Sequence, residues 1–336
     1  MSAITIGGEL IHYEVLGRGR PIILLHGWVG SWRYWVPTMQ NLQLKYRVYA
    51  LDLHGFGDTS KNEQKYSISS QVQLVRDFME MMAIPKAAFV GHGLGAWVAV
   101  EFARQTANSD RVARMMLVSP PMFQPPGLET RHRPGRIVPL TSNMPEAFDD
   151  RTIANSNSMR AQAMLERELA RGGRSENTPV TPPKLATQEE RQPVHNPLLD
   201  IFSSSTGEAL LQKCFKRSDP IYTKLEPDLP KTADRALKDS AKEFDSGRLL
   251  DSIWLLNMPT VILHGKEDVF IRPPSDAVLD YITADKDEST MVQLLDGVRH
   301  FPMLEYERFM RLLNDFLEIP DISKLEIKER WKRRSR

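Results

Sequence analysis

The sequence predicts an α/β fold in which helices flank a mostly parallel β-sheet. Short apolar runs rich in β-branched residues alternate with segments of helical periodicity, a pattern typical of such a sheet. The chain has 336 residues, enough to bury a large core. The alternation stops after Pro120 and resumes near Leu255. We therefore expect one core domain that carries a large insertion.

The strands are predicted from short apolar runs, and the helices from apolar residues at spacings near 3.6 or on all sides. Strands are predicted at residues 10–15, 21–26, 47–51, 87–91, 115–118, 260–264 and 290–294. Core helices are predicted at residues 70–82, 95–107 and 304–317. The core is accordingly assigned to residues 1–120 and 255–320.

The insertion, residues 121–254, is predicted to be partly helical. Residues 146–170 and 228–250 have helical composition. Residues 171–197 contain five prolines among Gly, Ser, Thr and Gln, so they are predicted to form a mobile loop. Because ligands bind at the carboxyl ends of the strands in open α/β sheets, we expect a helical cap over that edge.

The overall charge gives no reason to expect a polyanion partner. The chain holds 44 basic and 43 acidic side chains, a formal net charge of +1. Cys214 is the only cysteine, which excludes an intrachain disulfide framework and paired-cysteine zinc sites. The start lacks the features of a signal peptide, and no stretch approaches about eighteen apolar residues. We predict a cytoplasmic protein without a transmembrane segment.

The last residues, 321–336, form a basic tail. From residue 324 onward, the sequence contains seven Lys and Arg residues and only two Glu residues. We interpret the tail as a solvated end that keeps the protein soluble. The alternative is a weak anchor for nucleic acid or anionic lipid.

Three motifs follow predicted strands in a fixed order. They are HGWVG at residues 26–30, DLHGFGDTS at residues 52–60 and FVGHGLGA at residues 89–96. Together with two later loops, they resemble the α/β-hydrolase family over nearly the whole chain. The resemblance implies a mostly parallel sheet of eight strands with helices on its faces and a helical cap. The second motif is interpreted as structural, because its glycines serve a tight turn.

The third motif resembles the family's nucleophile elbow, where a strand turns sharply into a helix. Small residues at Gly91 and Gly95 let the backbones pass close together. The family places Ser, Cys or Asp at the central position, which is Gly93 here. A glycine can form no covalent intermediate with a substrate. By the same resemblance, the backbone N–H groups of Trp28 and Leu94 form the oxyanion hole.

The two later loops resemble those that carry the family's catalytic acid and base. HGKED at residues 264–268 follows a predicted strand, and Asp268 is the predicted acid. Glu267 is the alternative, because a shift of one residue decides which side chain points inward. GVRHFP at residues 297–302 carries His300, the predicted base. The order of Gly93, Asp268 and His300 matches that of the family.

Other reactive side chains are interpreted as structural. His92 is predicted to pack beside the elbow, and His12, His132 and His195 are predicted to be ordinary surface or core residues. Cys214 is interpreted as an incidental thiol rather than a displaced nucleophile. No metal or other cofactor is predicted, because no clustered spacing of His, Asp and Glu favours one.

Three functional hypotheses follow. The preferred one is a protein without appreciable turnover that binds a small apolar carbonyl-containing ligand or a protein partner. The second is a hydrolase or lyase in which His300 and Asp268 activate a water. The third is a serine hydrolase whose nucleophile was deleted at Gly93. The motifs resemble esterases, lipases and C–C bond hydrolases more than haloalkane dehalogenases and epoxide hydrolases, which implies carboxylic esters or related carbonyl compounds.

Overall fold

An eight-stranded β-sheet lies at the centre of the computed structural model. The described residues are 2–105, 111–134, 195–203, 205–284 and 289–325. The strands are β1 (Ser2–Ile6), β2 (Glu9–Leu16), β3 (Arg20–Leu25), β4 (Tyr46–Leu51), β5 (Ala87–His92), β6 (Val112–Val118), β7 (Thr260–Gly265) and β8 (Thr290–Leu295). Their order across the sheet is β1-β2-β4-β3-β5-β6-β7-β8.

The sheet is parallel from β4 to β8 and antiparallel at the β1–β2 end. All seven predicted strands are present, although β6 begins at Val112 rather than at residue 115. The sequence interpretation missed β1. Gly7 and Gly8 join it to β2 with φ values of 57° and 84°, the backbone of a tight hairpin turn.

The described helices lie between and after these strands in the chain. They are α1 (Val36–Leu42), α2 (Ile68–Met81), α3 (Leu94–Gln105), α4 (Pro197–Phe202), α5 (Gly207–Cys214), α6 (Pro220–Leu225), α7 (Asp234–Ala241), α8 (Ser246–Trp254), α9 (Asp276–Thr283), α10 (Pro302–Glu305) and α11 (Phe309–Glu318). Within the described ranges, none of these helices combines the length and apolar character that a bilayer-spanning helix requires.

Two predicted helices are each divided in the structure. Residues 304–317 belong to α10 and α11. Residues 228–250 contribute to α7 and α8, because the Asp245 side chain accepts a hydrogen bond from the Arg248 N–H and begins a new helix there. The predicted helix at 146–170 and most of the loop at 171–197 lie outside the described residues.

The sequences of α2 and α3, which precede and follow β5 in the chain, explain where each helix begins and what it buries. The Ser67 side chain accepts a hydrogen bond from the Ser70 N–H and caps α2, whose apolar face is buried. Helix α3 contacts β5, β3 and α8, and this explains why its first ten residues are all buried. The described residues all belong to one compact unit. A helical cap remains a prediction.

Candidate active site

The turn between β5 and α3 contains a single residue, Gly93. Its φ is 50°, in the left-handed region that favours glycine. Its N–H donates to the Val118 carbonyl at 2.9 Å, and the Gly95 N–H donates to the His26 carbonyl at 3.0 Å. A side-chain carbon at Gly91 would overlap the backbone of Gly95. The close approach of strand and helix therefore requires the small residue predicted at that position.

The indole ring of Trp28 lies directly against Gly93. A side-chain carbon on Gly93 would be 3.3 Å from Cε3 and 3.5 Å from Cζ3 of Trp28. Trp28 is completely buried, and its Nε1 donates to the Ser240 hydroxyl at 3.0 Å. Its ring centroid is 5.3 Å from that of Phe202 and 6.3 Å from that of Phe270. An aromatic cluster thus covers the point where a side chain at residue 93 would begin.

The backbone of residues 27 and 28 lies beside the turn as well. The Cα of Gly27 is 3.5 Å from the position of a side-chain carbon on Gly93. Leu94 follows Gly93 directly as the first residue of α3. The two residues proposed as oxyanion donors, Trp28 and Leu94, therefore flank the same glycine.

Asp268 and His300 form a buried pair. Asp268 Oδ2 is 2.7 Å from His300 Nδ1, and its Oδ1 accepts hydrogen bonds from the Phe270 and Ile271 N–H groups, each at 2.9 Å. Burial raises the pKa of Asp268, but the charge of His300 and its hydrogen bond outweigh this and hold the pKa below its usual value. Glu267 is exposed, whereas Asp268 is buried beside the His300 ring.

The two ring nitrogens of His300 differ in their hydrogen bonding. An ionised Asp268 can only accept, so in the neutral form of the ring Nδ1 of His300 carries the proton and Nε2 carries a lone pair. His300 is 1% exposed, and its Nε2 has no hydrogen-bond partner among the described residues. The pair has the arrangement of a general base whose orientation is fixed by a carboxylate.

His92 differs from its neighbour because both of its ring nitrogens are used. Nε2 donates to the His300 carbonyl at 2.8 Å, so Nδ1 is an acceptor and receives the Tyr34 hydroxyl at 3.0 Å. The Tyr34 oxygen in turn accepts from the Gly27 N–H at 2.7 Å. Burial, with a smaller contribution from His300, lowers the pKa of His92 well below its usual value. His92 is therefore a neutral link between the loops around Gly93.

Glu305 holds the backbone on both sides of His300, a role that the sequence interpretation missed. Its carboxylate accepts from the Arg299 N–H at 3.2 Å and from the Phe301 N–H at 3.0 Å. The same carboxylate pairs with the Arg299 guanidinium at 2.7 Å, and Asp219 contacts that guanidinium at 3.0 Å. The available signal was an acidic residue in the first turn of α10.

Ser119 is a second residue that the sequence interpretation missed. It follows β6, is fully buried and has a φ of 45°, which is strained for a residue with a side chain. Its hydroxyl donates to the His300 carbonyl at 3.2 Å. Ser119 thus holds the backbone of His300, and its hydroxyl is directed to a carbonyl rather than to the His300 ring.

Four other side chains are interpreted as structural from the sequence, namely Cys214, His12, His132 and His195. Burial raises the pKa of the Cys214 thiol far above its usual range, which disfavours a nucleophilic thiolate. His132 is exposed, and the exposed His195 contacts Asp200 at 2.8 Å. His12 is buried.

His12 has a partner that its position in the sequence did not reveal. Its Nδ1 is 2.9 Å from Asp52 Oδ2. The atoms of His12, Asp52 and Asp58 that could bind a metal ion lie within 4.8 Å of one another. Asp52 also accepts from the Trp32 and Asp58 N–H groups at 2.8 Å and 2.9 Å. Because these oxygens are already hydrogen-bonded and Asp58 is paired with Arg33 and Lys231, we assign the cluster a structural role in the loop.

Comparison with known proteins gives partial matches to two kinds of hydrolase. A soluble epoxide hydrolase of Corynebacterium sp. (strain C12) is 34% identical over 113 residues, which cover 34% of this chain and 39% of that protein. A pimeloyl-acyl-carrier-protein methyl ester esterase of Vibrio campbellii is 29% identical over 158 residues, covering 46% of this chain and 57% of that protein. The chain thus matches less than two thirds of the length of either relative. The expected preference for esterases over epoxide hydrolases is not supported.

Comparisons over nearly the whole chain give the fold. An esterase from Rhodococcus sp. ECU1013 superposes with a TM-score of 0.61 at 19% identity, covering 96% of this chain and 98% of that one. The family model for the alpha/beta hydrolase fold matches residues 20–305. This range includes the turn at Gly93 and the loops of Asp268 and His300. The chain belongs to the α/β-hydrolase fold family.

Proposed function

We propose that this protein is an α/β-hydrolase-fold protein without a nucleophile, which binds a small apolar carbonyl-containing ligand and does not cleave it through a covalent intermediate. The observation that carries the proposal is Gly93. At the strand-to-helix turn it offers no side-chain atom, and the ring of Trp28 lies against it. A covalent acyl-enzyme needs an attacking oxygen or sulfur at this place.

The surroundings of Gly93 support the proposed ligand class. Trp28, Phe202 and Phe270 supply buried aromatic surface, which favours an apolar ligand body. The backbone N–H groups of Trp28 and Leu94 are the proposed donors to the ligand carbonyl oxygen. Relatives named as a methyl ester esterase and an epoxide hydrolase are consistent with a ligand that carries an ester or related oxygen function.

A second candidate function is direct hydrolysis by water. The observation that favours it is the unpartnered Nε2 of His300, with Nδ1 held by Asp268. In this reaction Nε2 takes a proton from water as the water oxygen attacks the substrate carbonyl carbon, and Asp268 stabilises the imidazolium that forms. The imidazolium then returns the proton to the leaving alcohol oxygen as the ester C–O bond breaks. The third candidate is a serine hydrolase whose nucleophile was deleted at residue 93.

Hydrolysis of short and medium-chain aryl esters separates these functions. We expect the native chain to show background hydrolysis that His300→Ala leaves unchanged. Native activity that disappears in His300→Ala contradicts the proposal and supports direct attack by water. A burst of acyl-enzyme in Gly93→Ser supports a deleted nucleophile. In subtilisin, removal of the catalytic serine lowers kcat by a factor on the order of 10⁶. If the nucleophile was deleted, the kcat gained by Gly93→Ser should therefore be large enough to measure.

Binding is measured independently of turnover. Acetophenone, an aryl ketone that cannot be hydrolysed, is titrated into the full chain while the imidazole signals of His300 are followed by NMR. We expect a saturable shift of the His300 signals, with the exposed His195 as the internal control. No shift up to the solubility limit of the ketone contradicts ligand binding at this site.

A further inference from the structure

A cavity of about 210 Å³ lies at the amino ends of the parallel strands. It is lined by residues at the starts of β3, β4, β5 and β6 and by Leu317 near the end of α11. Gly93 follows the opposite, carboxyl end of β5. From Ala87 to His92 this strand rises roughly 16 Å, so the cavity and the candidate active site are separate.

Small side chains leave this space open. Ala88 and Ala113 line the cavity beside Pro21, and the pairing of β5 with β6 is irregular between Ala87 and Ala88. Larger residues at these positions would fill the interior. Most of the lining is apolar, so the cavity can accommodate an apolar group.

Three cations also line this cavity, and no carboxylate does among the described residues. They are Arg20, Lys86 and Arg114. Arg114 is fixed in place because its Nη1 donates to the carbonyls of Phe316 and, at 2.9 Å, of Ile319 at the end of α11. The ion pairs of the described residues include those of other cations, namely Arg33, Lys45 and Arg111.

The position of the other arginine is also defined. The Arg20 guanidinium lies 5.4 Å from the centroid of the Tyr46 ring, and its Nη2 donates to the Tyr46 hydroxyl at 3.4 Å. Burial, followed by the charge of Arg20, lowers the pKa of Arg114. A bound anion would relieve the repulsion between these charges.

We propose that this cavity binds a small carboxylate with a flat apolar body, such as an aromatic monocarboxylate. The apolar body fills the space beside Ala88 and Ala113, and the carboxylate pairs with Arg20, Lys86 and Arg114. The size is sufficient, because an engineered apolar cavity of about 150 Å³ binds benzene. Guanidinium groups match the planar geometry of carboxylates. The inference does not depend on the function proposed for Gly93 and His300.

Titration of the full chain with benzoate tests the proposal. We expect a dissociation constant on the order of 1 mM, and binding of the neutral isostere benzamide that is at least about tenfold weaker. The Arg20→Gln/Lys86→Gln variant should bind benzoate at least about tenfold more weakly than the native chain. The control variant Lys65→Gln/Lys238→Gln removes the same charge from exposed positions outside the cavity and should keep the native affinity.

Several results overturn the proposal. One is equal binding of benzoate and benzamide. Another is native benzoate affinity in Arg20→Gln/Lys86→Gln, with folding verified by circular dichroism. A third is binding of inorganic phosphate with the same affinity as benzoate, which would show that the apolar body of the ligand contributes nothing. An affinity that depends on His300→Ala instead of on the two cations would place the ligand in the candidate active site.

Discussion

The loops after β7 and β8 and the turn between β5 and α3 meet at the same edge of the sheet, yet they differ in chemical capability. In the loops after β7 and β8, Asp268 accepts three hydrogen bonds, and the Nε2 of His300 has no hydrogen-bond partner among the described residues. At the turn between β5 and α3, Gly93 has no side chain, and the neighbouring His92 has both nitrogens engaged. One side thus holds a hydrogen-bonded carboxylate–imidazole pair, whereas the other side has no side chain at residue 93.

The two histidines show what makes a buried imidazole available. Their ring centroids are 4.6 Å apart, and both side chains are buried. His92 links Tyr34 to a carbonyl and has no free lone pair, whereas His300 is tied at Nδ1 only. Burial is thus common to both side chains, and they differ in the number of hydrogen-bond partners on the ring.

Removal of the Asp268 carboxylate gives the largest expected effect. Asp268→Ala leaves two backbone N–H groups and the His300 Nδ1 without their acceptor in a buried place. We expect the free energy of unfolding to fall by about 3–5 kcal/mol. Denaturant titration measures this change. The control Glu267→Ala alters the exposed neighbour and should remain within about 0.5 kcal/mol of the native value. Equal losses for both variants would contradict a special role for Asp268.

The pH dependence of stability tests the neutral state of His92. Its pKa is lowered in the folded chain, so the unfolded chain takes up the proton first as the pH falls below about 6.5. This contribution to stability is therefore complete above that pH and decreases below it.

Below pH 6.5 the expected slope from His92 approaches the value for one proton, about 1.4 kcal/mol per pH unit. The free energy of unfolding is measured at several pH values below about 6.5. Its slope against pH should be smaller in His92→Gln than in the native chain by the contribution of one proton. The control His195→Gln changes an exposed side chain and should keep the native slope. An unchanged slope in His92→Gln would show that His92 is not held neutral.

Glu305→Gln tests whether the Glu305 carboxylate holds the backbone on both sides of His300. The amide keeps the shape of the carboxylate but loses its charge toward Arg299 and one acceptor oxygen. We expect a loss of about 1–2 kcal/mol in the free energy of unfolding and faster hydrogen exchange at the Arg299 and Phe301 amides. The exposed Glu307 provides the control variant Glu307→Gln. Native exchange rates in Glu305→Gln would contradict the proposed support of the His300 backbone.

The contact between Gly93 and Trp28 should give the smallest effect. Gly93 and Gly297 both have positive φ, but a side-chain carbon at Gly297 meets no atom within 4 Å. We expect Gly93→Ala to destabilise the chain by about 1 kcal/mol more than Gly297→Ala, because the Trp28 ring must shift. This excess should diminish in a Trp28→Phe background, which denaturant titration of the four combinations measures. An excess that persists would assign the cost to the backbone alone.

Most strands were predictable because a short apolar run between turns reflects local preferences of the chain. Strand β1 was missed, although Gly7-Gly8 between alternating residues was a usable signal of a hairpin. The positions of Gly93 and His300 followed from motifs at strand ends. The choice between Asp268 and Glu267 did not, because it depends on which of two adjacent side chains points inward.

The sequence by itself determined that residue 93 has no side chain, that glycines flank it, and that an acid and a histidine follow in order. These are properties of residue identity and local spacing. Only the tertiary structure decided that Trp28 covers Gly93, that Glu305 holds the His300 backbone, and that His92 is saturated while His300 is not. Trp28 and Ser240, or His92 and His300, are some two hundred residues apart. Hydrogen bonds between them form only when the complete fold brings their side chains together.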